Sequence, residues 1–227
     1  MIPKIIWQTH KTPLPPLEAV SSIRSWLDKN PEYQWYYFDD ERCCRFIQDH
    51  FTEEFYQMYI SLPIGVMKSD VWRIAVVYIY GGVYADIDTL CIQPVDSWTL
   101  DRDLVVSVEP PTLNHLANFC FAAKPKHPAL KFCLKNILKN YHSPNYLDQA
   151  ERTGLPVQNF GQHAFATGIE EYLIENPNDS AVKMYSLEEN AFTPIGDNRT
   201  LVLHQTGSVL WNNYDSWRQE QQQLFGY

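Results

Sequence analysis

Residues 65–89, "GVMKSDVWRIAVVYIYGGVYADIDT", carry the strongest pattern in this chain of 227 residues. Its apolar residues recur at the three- and four-residue spacing of a helix, at Val71, Ile74, Ala75 and Tyr78. Two glycines follow as a stop signal, so the pattern predicts a buried helix that ends there. Because Asp70 and Arg73 are three residues apart, we expect them to share a helical face distinct from the apolar stripe.

Two carboxylates, Asp86 and Asp88, follow the glycines and are separated by one apolar residue. In an extended segment both would project on one side, while Ile87 would point into the core. Such a pair can hold a hard divalent cation and leave positions for phosphate oxygens and water. The spacing alone is weak evidence, since Asp101 and Asp103 repeat it in what reads as a solvated turn. The preceding buried helix and glycines favour a metal site over an acidic turn.

Strand and helix patterns alternate along the rest of the chain without an internal repeat, which predicts a single α/β domain over residues 1–227. The expected strands are 3–8, 33–38, 103–109, 118–124, 181–185 and 200–205. The expected helices, besides the one described above, are 18–30, 40–48, 52–60, 127–140 and 161–176.

Composition limits the partners and the compartment. The net charge of −9 argues against binding to nucleic acid or to anionic lipid through a basic surface. The five cysteines contain no C-x-x-C pair, which favours a reducing compartment and an expected cytoplasmic location. No segment approaches the ~20 apolar residues of a membrane span, and no secretory signal is recognised, so only peripheral membrane association is compatible with the pattern.

One alternative for the carboxylates is a haloacid dehalogenase-like phosphatase, because "DIDT" matches the start of that family. Asp86 would then be the nucleophile and Asp88 the general acid and base, with magnesium as the ion. "IGDN", residues 195–198, echoes the family's later Gly-Asp motif. However, two glycines interrupt the apolar run before Asp86, and a second late aspartate is missing. The phosphatase is therefore the second-ranked hypothesis.

Several segments together resemble the glycosyltransferases that contain a DXD sugar-binding region, family thirty-two, which are related to the large clostridial glucosylating toxins. The similarity lies in "IPKIIWQT" at residues 2–9, the block 69–89, "FAAKPKHP" at 121–128 and Thr167-Gly168. The resemblance implies a GT-A fold: one Rossmann-like nucleotide-sugar-binding domain with a mixed central sheet flanked by helices.

The resemblance also implies roles for individual residues. Asp88 would ligate a divalent metal, manganese or alternatively magnesium, and Asp86 would contact the ribose or the metal through water. Asp70 would hydrogen-bond the donor-sugar hydroxyls, and Arg73 would bind the sugar or its phosphate. The remaining implied contacts with the nucleotide sugar or its metal are Trp7, Gln8, Thr9, Asn118, His204, Ser208 and Trp211.

What the resemblance implies about activity is a retaining transfer of a hexose from a nucleotide sugar to a glycan, glycolipid or other hydroxyl acceptor, as in polysaccharide biosynthesis. A UDP-hexose is favoured as the donor, and GDP-mannose is the alternative. His10 replaces a tryptophan of many relatives, and Ile169 replaces a proline near the acceptor side. An inactive nucleotide-sugar-binding module is a third hypothesis, and His204 could equally be a core or hydrogen-bonded surface histidine.

Overall fold

The computed structural model describes residues 1–108, 116–143 and 161–205. Its centre is a mixed sheet of six strands in the order β2-β1-β3-β6-β5-β7, beside a small sheet in the order β4-β9-β8. In chain order the strands are β1 (Ile5–Thr9), β2 (Gln34–Phe38), β3 (Gly82–Ala85), β4 (Thr89–Cys91), β5 (Leu104–Ser107), β6 (Cys120–Ala123), β7 (Val182–Tyr185), β8 (Phe192–Thr193) and β9 (Val202–His204). Strands β1, β2 and β3 run parallel, whereas β6 is antiparallel to both β3 and β5.

Helices cover the sheet, and most of them lie where the periodicity predicts. They are a 3-10 turn (Leu17–Ala19), α1 (Val20–Lys29), α2 (Asp40–His50), α3 (Glu53–Ser61), α4 (Gly65–Tyr80), α5 (Asp96–Thr99), α6 (Pro128–Tyr141) and α7 (His163–Glu175). The short elements β3, β4, α5 and β8 are not among the predicted ones, because two to four residues carry too little periodicity. None of the described helices is long and apolar enough to cross a membrane.

Alternation along the central strands builds two cores. In β1, Trp7 packs with α4 on one face of the sheet, whereas Ile6 packs with Trp26 of α1 on the other. In β3, Tyr84 and Val83 divide in the same way between the two cores. The sheet is therefore buried on both faces, as expected for strands between helical layers.

Helix α4 crosses the core and delivers the chain to β3. It is buried nearly all round, and Asp70 and Arg73 are buried with it, at 4% and 5% exposure. Asp70 and Arg73 are therefore a buried pair and not a surface pair, although they lie apart from the apolar stripe. Gly81 and Gly82 have φ values of +69° and +100°, which a residue with a side chain adopts only with strain. The double glycine thus turns the chain directly from the helix into the sheet.

Candidate active site

The two aspartates of the DXD segment lie in a tight turn after β3. The amide of Asp86 donates to Phe119 O at 2.7 Å, and its carbonyl accepts from Thr89 N at 3.0 Å. The expectation of an extended segment is therefore wrong, because the backbone closes a turn between Asp86 and Thr89. The turn still brings the carboxylates together: ligand atoms of Asp86, Asp88 and His204 all lie within 4.8 Å of one another.

His204 reaches this turn through long-range strand pairing. Strand β4 pairs antiparallel with β9, and this register places Thr89 opposite His204. The imidazole stacks on Phe119 with ring centroids 4.3 Å apart, and its Nε2 lies 3.6 Å from Asp88 Oδ1. Gln205 N donates to Asp88 O at 3.0 Å, so β9 also fixes the backbone of the turn.

Arg73 links helix α4 to the same turn. Its Nη2 lies 3.1 Å from Asp70 Oδ1 and 3.3 Å from Asp86 Oδ1. Its Nη1 donates to Asn118 O at 2.9 Å, and the guanidinium lies 4.8 Å from the ring centroid of Tyr84. One buried cation therefore holds two carboxylates in place, and the Tyr84 hydroxyl donates to Asp86 as well.

Burial and two hydrogen-bond donors determine the position and the pKa of the Asp70 carboxylate. Asn118 Nδ2 donates to Asp70 Oδ1 at 3.1 Å, alongside the contact with Arg73. Burial raises the pKa of Asp70 to about 6, against the opposing attraction of Arg73. Burial also raises the pKa of Asp86, with Arg73 opposing and the Asp88 carboxylate adding to the rise. The raised pKa values mean that ionised carboxylates are disfavoured at this site, and a bound cation would stabilise their charged form.

The three N-terminal residues predicted to form the nucleotide pocket occupy different positions. Gln8 Nε2 donates to Asp86 O at 3.4 Å, so Gln8 adjoins the site. Thr9 Oγ1 donates to Phe38 O at 2.8 Å within the sheet. Trp7 is 4% exposed, and its indole N–H donates to Gly81 O at 2.8 Å. Of the three, only Gln8 is brought to the carboxylates.

Two further predicted residues, Ser208 and Trp211, lie outside the described residues. Conversely, the structure adds partners that the sequence did not single out. Trp35 Nε1 donates to Gln8 Oε1 at 2.9 Å, and Arg73 Nη2 donates to Ser69 Oγ at 3.2 Å. The contact of Tyr84 with Asp86 has a sequence signal, because alternation along β3 places Tyr84 on the side occupied by Arg73.

The residues at the turn fit a divalent cation. Asp86 and Asp88 offer carboxylate oxygens and His204 offers an imidazole nitrogen, and both kinds of atom are common ligands of divalent metal ions. Asp88 and His204 have side chains that are 10% and 8% exposed, whereas Asp86 is 24% exposed. Asp88 and His204 are thus enclosed by the protein, whereas solvent can reach the cluster at Asp86.

The mixed sheet between helical layers, with an acidic turn after its central strand β3, defines an α/β protein of the GT-A class. Residues 16–105 match the family model described as "Glycosyltransferase sugar-binding region containing DXD motif". The matched range contains Asp70, Arg73, Asp86 and Asp88, so the chain carries this sugar-binding region and the resemblance noted from the sequence is confirmed.

Curated relatives and a solved structure agree with this assignment. The chain is 32% identical over 110 residues to the initiation-specific alpha-1,6-mannosyltransferase of Candida albicans, covering 46% of this chain and 29% of that protein. It is 33% identical over 143 residues to inositol phosphoceramide mannosyltransferase 2 of Schizosaccharomyces pombe, covering 63% and 40%. The chain thus spans less than half the length of these relatives. The fold is similar to the PaToxG glycosyltransferase, with a TM-score of 0.53 and 19% identity over 76% of this chain and 70% of that one.

Proposed function

We propose that the chain is a metal-dependent, retaining glycosyltransferase that moves a hexose from a nucleotide sugar to a hydroxyl group of a glycan or glycolipid. The observation that carries the proposal is the contact of Arg73 with both Asp70 and Asp86. Asp86 belongs to the same backbone turn as Asp88, which lies beside His204. In the proposed complex Asp70 would bind the sugar beside a cation held at the turn, which is what a diphosphate-linked sugar requires.

Asp88 and His204 would hold the metal, with Asp86 completing the set. The bound ion would neutralise the negative charge that develops on the departing nucleoside diphosphate. Arg73 is buried, permanently charged and fixed by Asn118 O, so it adds a second positive charge at a defined place. Because it lies between the two carboxylates, Arg73 would direct the phosphate side of the donor toward the turn.

Asp70 would accept hydrogen bonds from hydroxyl groups of the donor sugar. Two donors, Arg73 and Asn118, hold Asp70 Oδ1 from the protein side. As the glycosidic bond breaks, the sugar carbon gains positive character, which a nearby carboxylate stabilises. Retention follows if the acceptor hydroxyl attacks on the face that the diphosphate leaves, with a phosphate oxygen taking the proton. No protein nucleophile is needed for this route.

Two donors remain to be compared. The sequence favoured a UDP-hexose, whereas the two relatives described above are named as mannosyltransferases, which supports GDP-mannose. Because the chain spans only part of those proteins, the donor has to be tested directly rather than transferred from them.

The deciding experiment is a thermal-shift screen with UDP, GDP, UDP-hexoses and GDP-mannose, each with and without manganese. A ligand that binds only the folded state raises the melting temperature, by an amount that grows with its concentration over Kd. We expect manganese-dependent stabilisation by one nucleoside diphosphate and slow hydrolysis of its sugar derivative. Stabilisation without turnover of any donor or acceptor pair would instead support the inactive binding module.

The phosphatase alternative lacks support in the geometry. Asp197, the aspartate of its late motif, pairs with the neighbouring Arg199 and is absent from the acidic cluster found among the described residues. That hypothesis expects magnesium-dependent release of phosphate from an aryl phosphate, lost in Asp86→Asn. The same purified protein can be assayed for this activity alongside the screen.

A further inference from the structure

Gly161, just before helix α7, lies with its backbone directly against Asp70. A Cβ atom built on Gly161 would be 2.2 Å from both Asp70 Cβ and Asp70 Oδ2, and 2.4 Å from Asp70 Cγ. Contacts below about 3.0 Å essentially never occur for real Cβ atoms. The φ of Gly161 lies outside the left-handed region, so close approach alone requires glycine here.

Asp70 cannot yield to a larger neighbour without losing its partners. Its carboxylate is held by Arg73 at 3.1 Å and by Asn118 at 3.1 Å, and the residue is 4% exposed. Two of the three conflicting atoms, Cβ and Cγ, lie near the helix backbone and not at the far end of a flexible chain. A side chain at position 161 would therefore displace the carboxylate from Arg73.

We propose that Gly161 is a positioning residue that fixes the Asp70 carboxylate for the donor sugar. Gly161 lies against Asp70 Oδ2, whereas Arg73 and Asn118 contact Asp70 Oδ1, so the carboxylate is confined between them. This inference rests on the proposed function for the identity of the ligand, whereas the steric part of it stands on geometry alone.

The test compares Gly161→Ala with two matched glycine variants. Gly65, at the start of the helix that carries Asp70, has no atom within 4 Å of its built Cβ. Gly168 has an equally severe conflict, 2.4 Å from Cys133 N, but in the packing of α7 on α6. Gly65→Ala therefore controls for the substitution itself, and Gly168→Ala controls for general loss of stability.

Calorimetry with manganese would measure the affinity of each variant for the sugar nucleotide and for its nucleoside diphosphate. In Gly161→Ala we expect sugar-nucleotide affinity to fall by about tenfold or more, as for loss of a charged hydrogen bond. The affinity for the diphosphate alone should change by less than about threefold. A threefold change corresponds to roughly half the binding free energy of a tenfold change. An unchanged ratio of the two affinities in Gly161→Ala, or the same change in Gly168→Ala, would overturn the proposal.

A second measurement needs no ligand. The three atoms nearest to the built Cβ all belong to the side chain of Asp70, so Asp70→Gly should relieve the closest conflicts with alanine at position 161. We expect the melting-temperature loss of the double variant Asp70→Gly and Gly161→Ala to be smaller than the sum of the two single losses. Additive losses would show that Gly161 does not act through Asp70. If the wild type binds no nucleotide at all, the proposed function fails while this steric test still decides the contact.

Discussion

Arg73 Nη2 on helix α4 lies 3.3 Å from Asp86 Oδ1 at the end of β3, which joins the long buried helix to the DXD turn. The helix ends at Tyr80, Gly81 caps it, and β3 begins at Gly82, so the chain doubles back beside the helix. This reversal is what allows two residues on either side of the double glycine to meet. The contact between Arg73 and Asp86 therefore depends on the helix, the double glycine and the strand together, and not on the DXD spacing alone.

Replacing Arg73 tests whether this contact holds the site together. Arg73→Ala leaves Asp70 and Asp86 buried without their shared cation, so we expect a loss of about 3 to 5 kcal/mol in the free energy of unfolding. Urea unfolding measures it. The control is Arg45→Ala, which breaks an exposed pair with Glu41 of 2.7 Å and should cost about 0.5 kcal/mol or less. Similar small losses in both variants would contradict a structural role for Arg73.

Asp88→Asn should remove manganese-dependent thermal stabilisation and donor turnover while the metal-free melting temperature stays close to the wild-type value. The reason is that the amide is similar in shape but carries no charge for the cation. Asp101→Asn is a matched control, since Asp101 and Asp103 have the same spacing and Asp101 is exposed with a φ of +57° that asparagine tolerates. Retained manganese response in Asp88→Asn would show that the metal, if bound, uses other ligands.

His204→Phe separates a metal ligand from a packing histidine. The aromatic ring can keep its stacking on Phe119, so the fold should tolerate the change with a small shift in melting temperature. Because the ligand nitrogen is lost, we expect the apparent affinity for manganese to fall by about tenfold or more. Titration of manganese in the thermal-shift assay gives this affinity. An unaltered affinity would identify His204 as a residue of the core.

The sequence predicted those parts of the site that depend on local pattern. Helix α4 and its stop at the glycines follow from periodicity over sixteen residues, which fixes Asp70 and Arg73 on one face. The pattern predicts an extended segment at Asp86, whereas the structure has a turn there. The Asp86 carbonyl accepts from both the amide and the hydroxyl of Thr89, and such local bonds leave no periodic signal. Short local hydrogen bonds decided the conformation there.

Other parts depend on long-range contacts. His204 meets Asp88 only because β9 pairs with β4, and three-residue strands cannot be paired from sequence alone. Only the family resemblance predicts a role for His204, since no residue pattern indicates one. Gly161 had no signal of any kind, since its importance lies in one contact with a helix far away in the chain.

The pH dependence of stability tests the charge state of Asp70. Its pKa in the folded protein is about 6, above the ordinary value of 3.8, so the folded state holds a proton that the unfolded state releases. Stability should therefore fall as pH rises from about 4 to 6, because ionised Asp70 is disfavoured by burial. Asp70→Asn removes this titration, so the variant should match the wild type near pH 4 and exceed it above pH 6, by on the order of 2 to 3 kcal/mol. Urea unfolding across this range measures the difference, and a constant offset would contradict the raised pKa.

Trp7→Phe tests the predicted role of Trp7 in the nucleotide pocket. The indole N–H donates to Gly81 O before β3, whereas Asp86 follows β3, so the two contacts lie at opposite ends of that strand. Phenylalanine keeps much of the packing against Tyr36 but leaves the buried Gly81 carbonyl unpaired, which should cost about 1 to 3 kcal/mol in unfolding free energy. The affinity for the nucleoside diphosphate, measured by calorimetry with manganese, should stay at the wild-type value, because Trp7 acts through the core. A fall in that affinity of about tenfold or more, at unchanged stability, would show that Trp7 contributes to the nucleotide pocket.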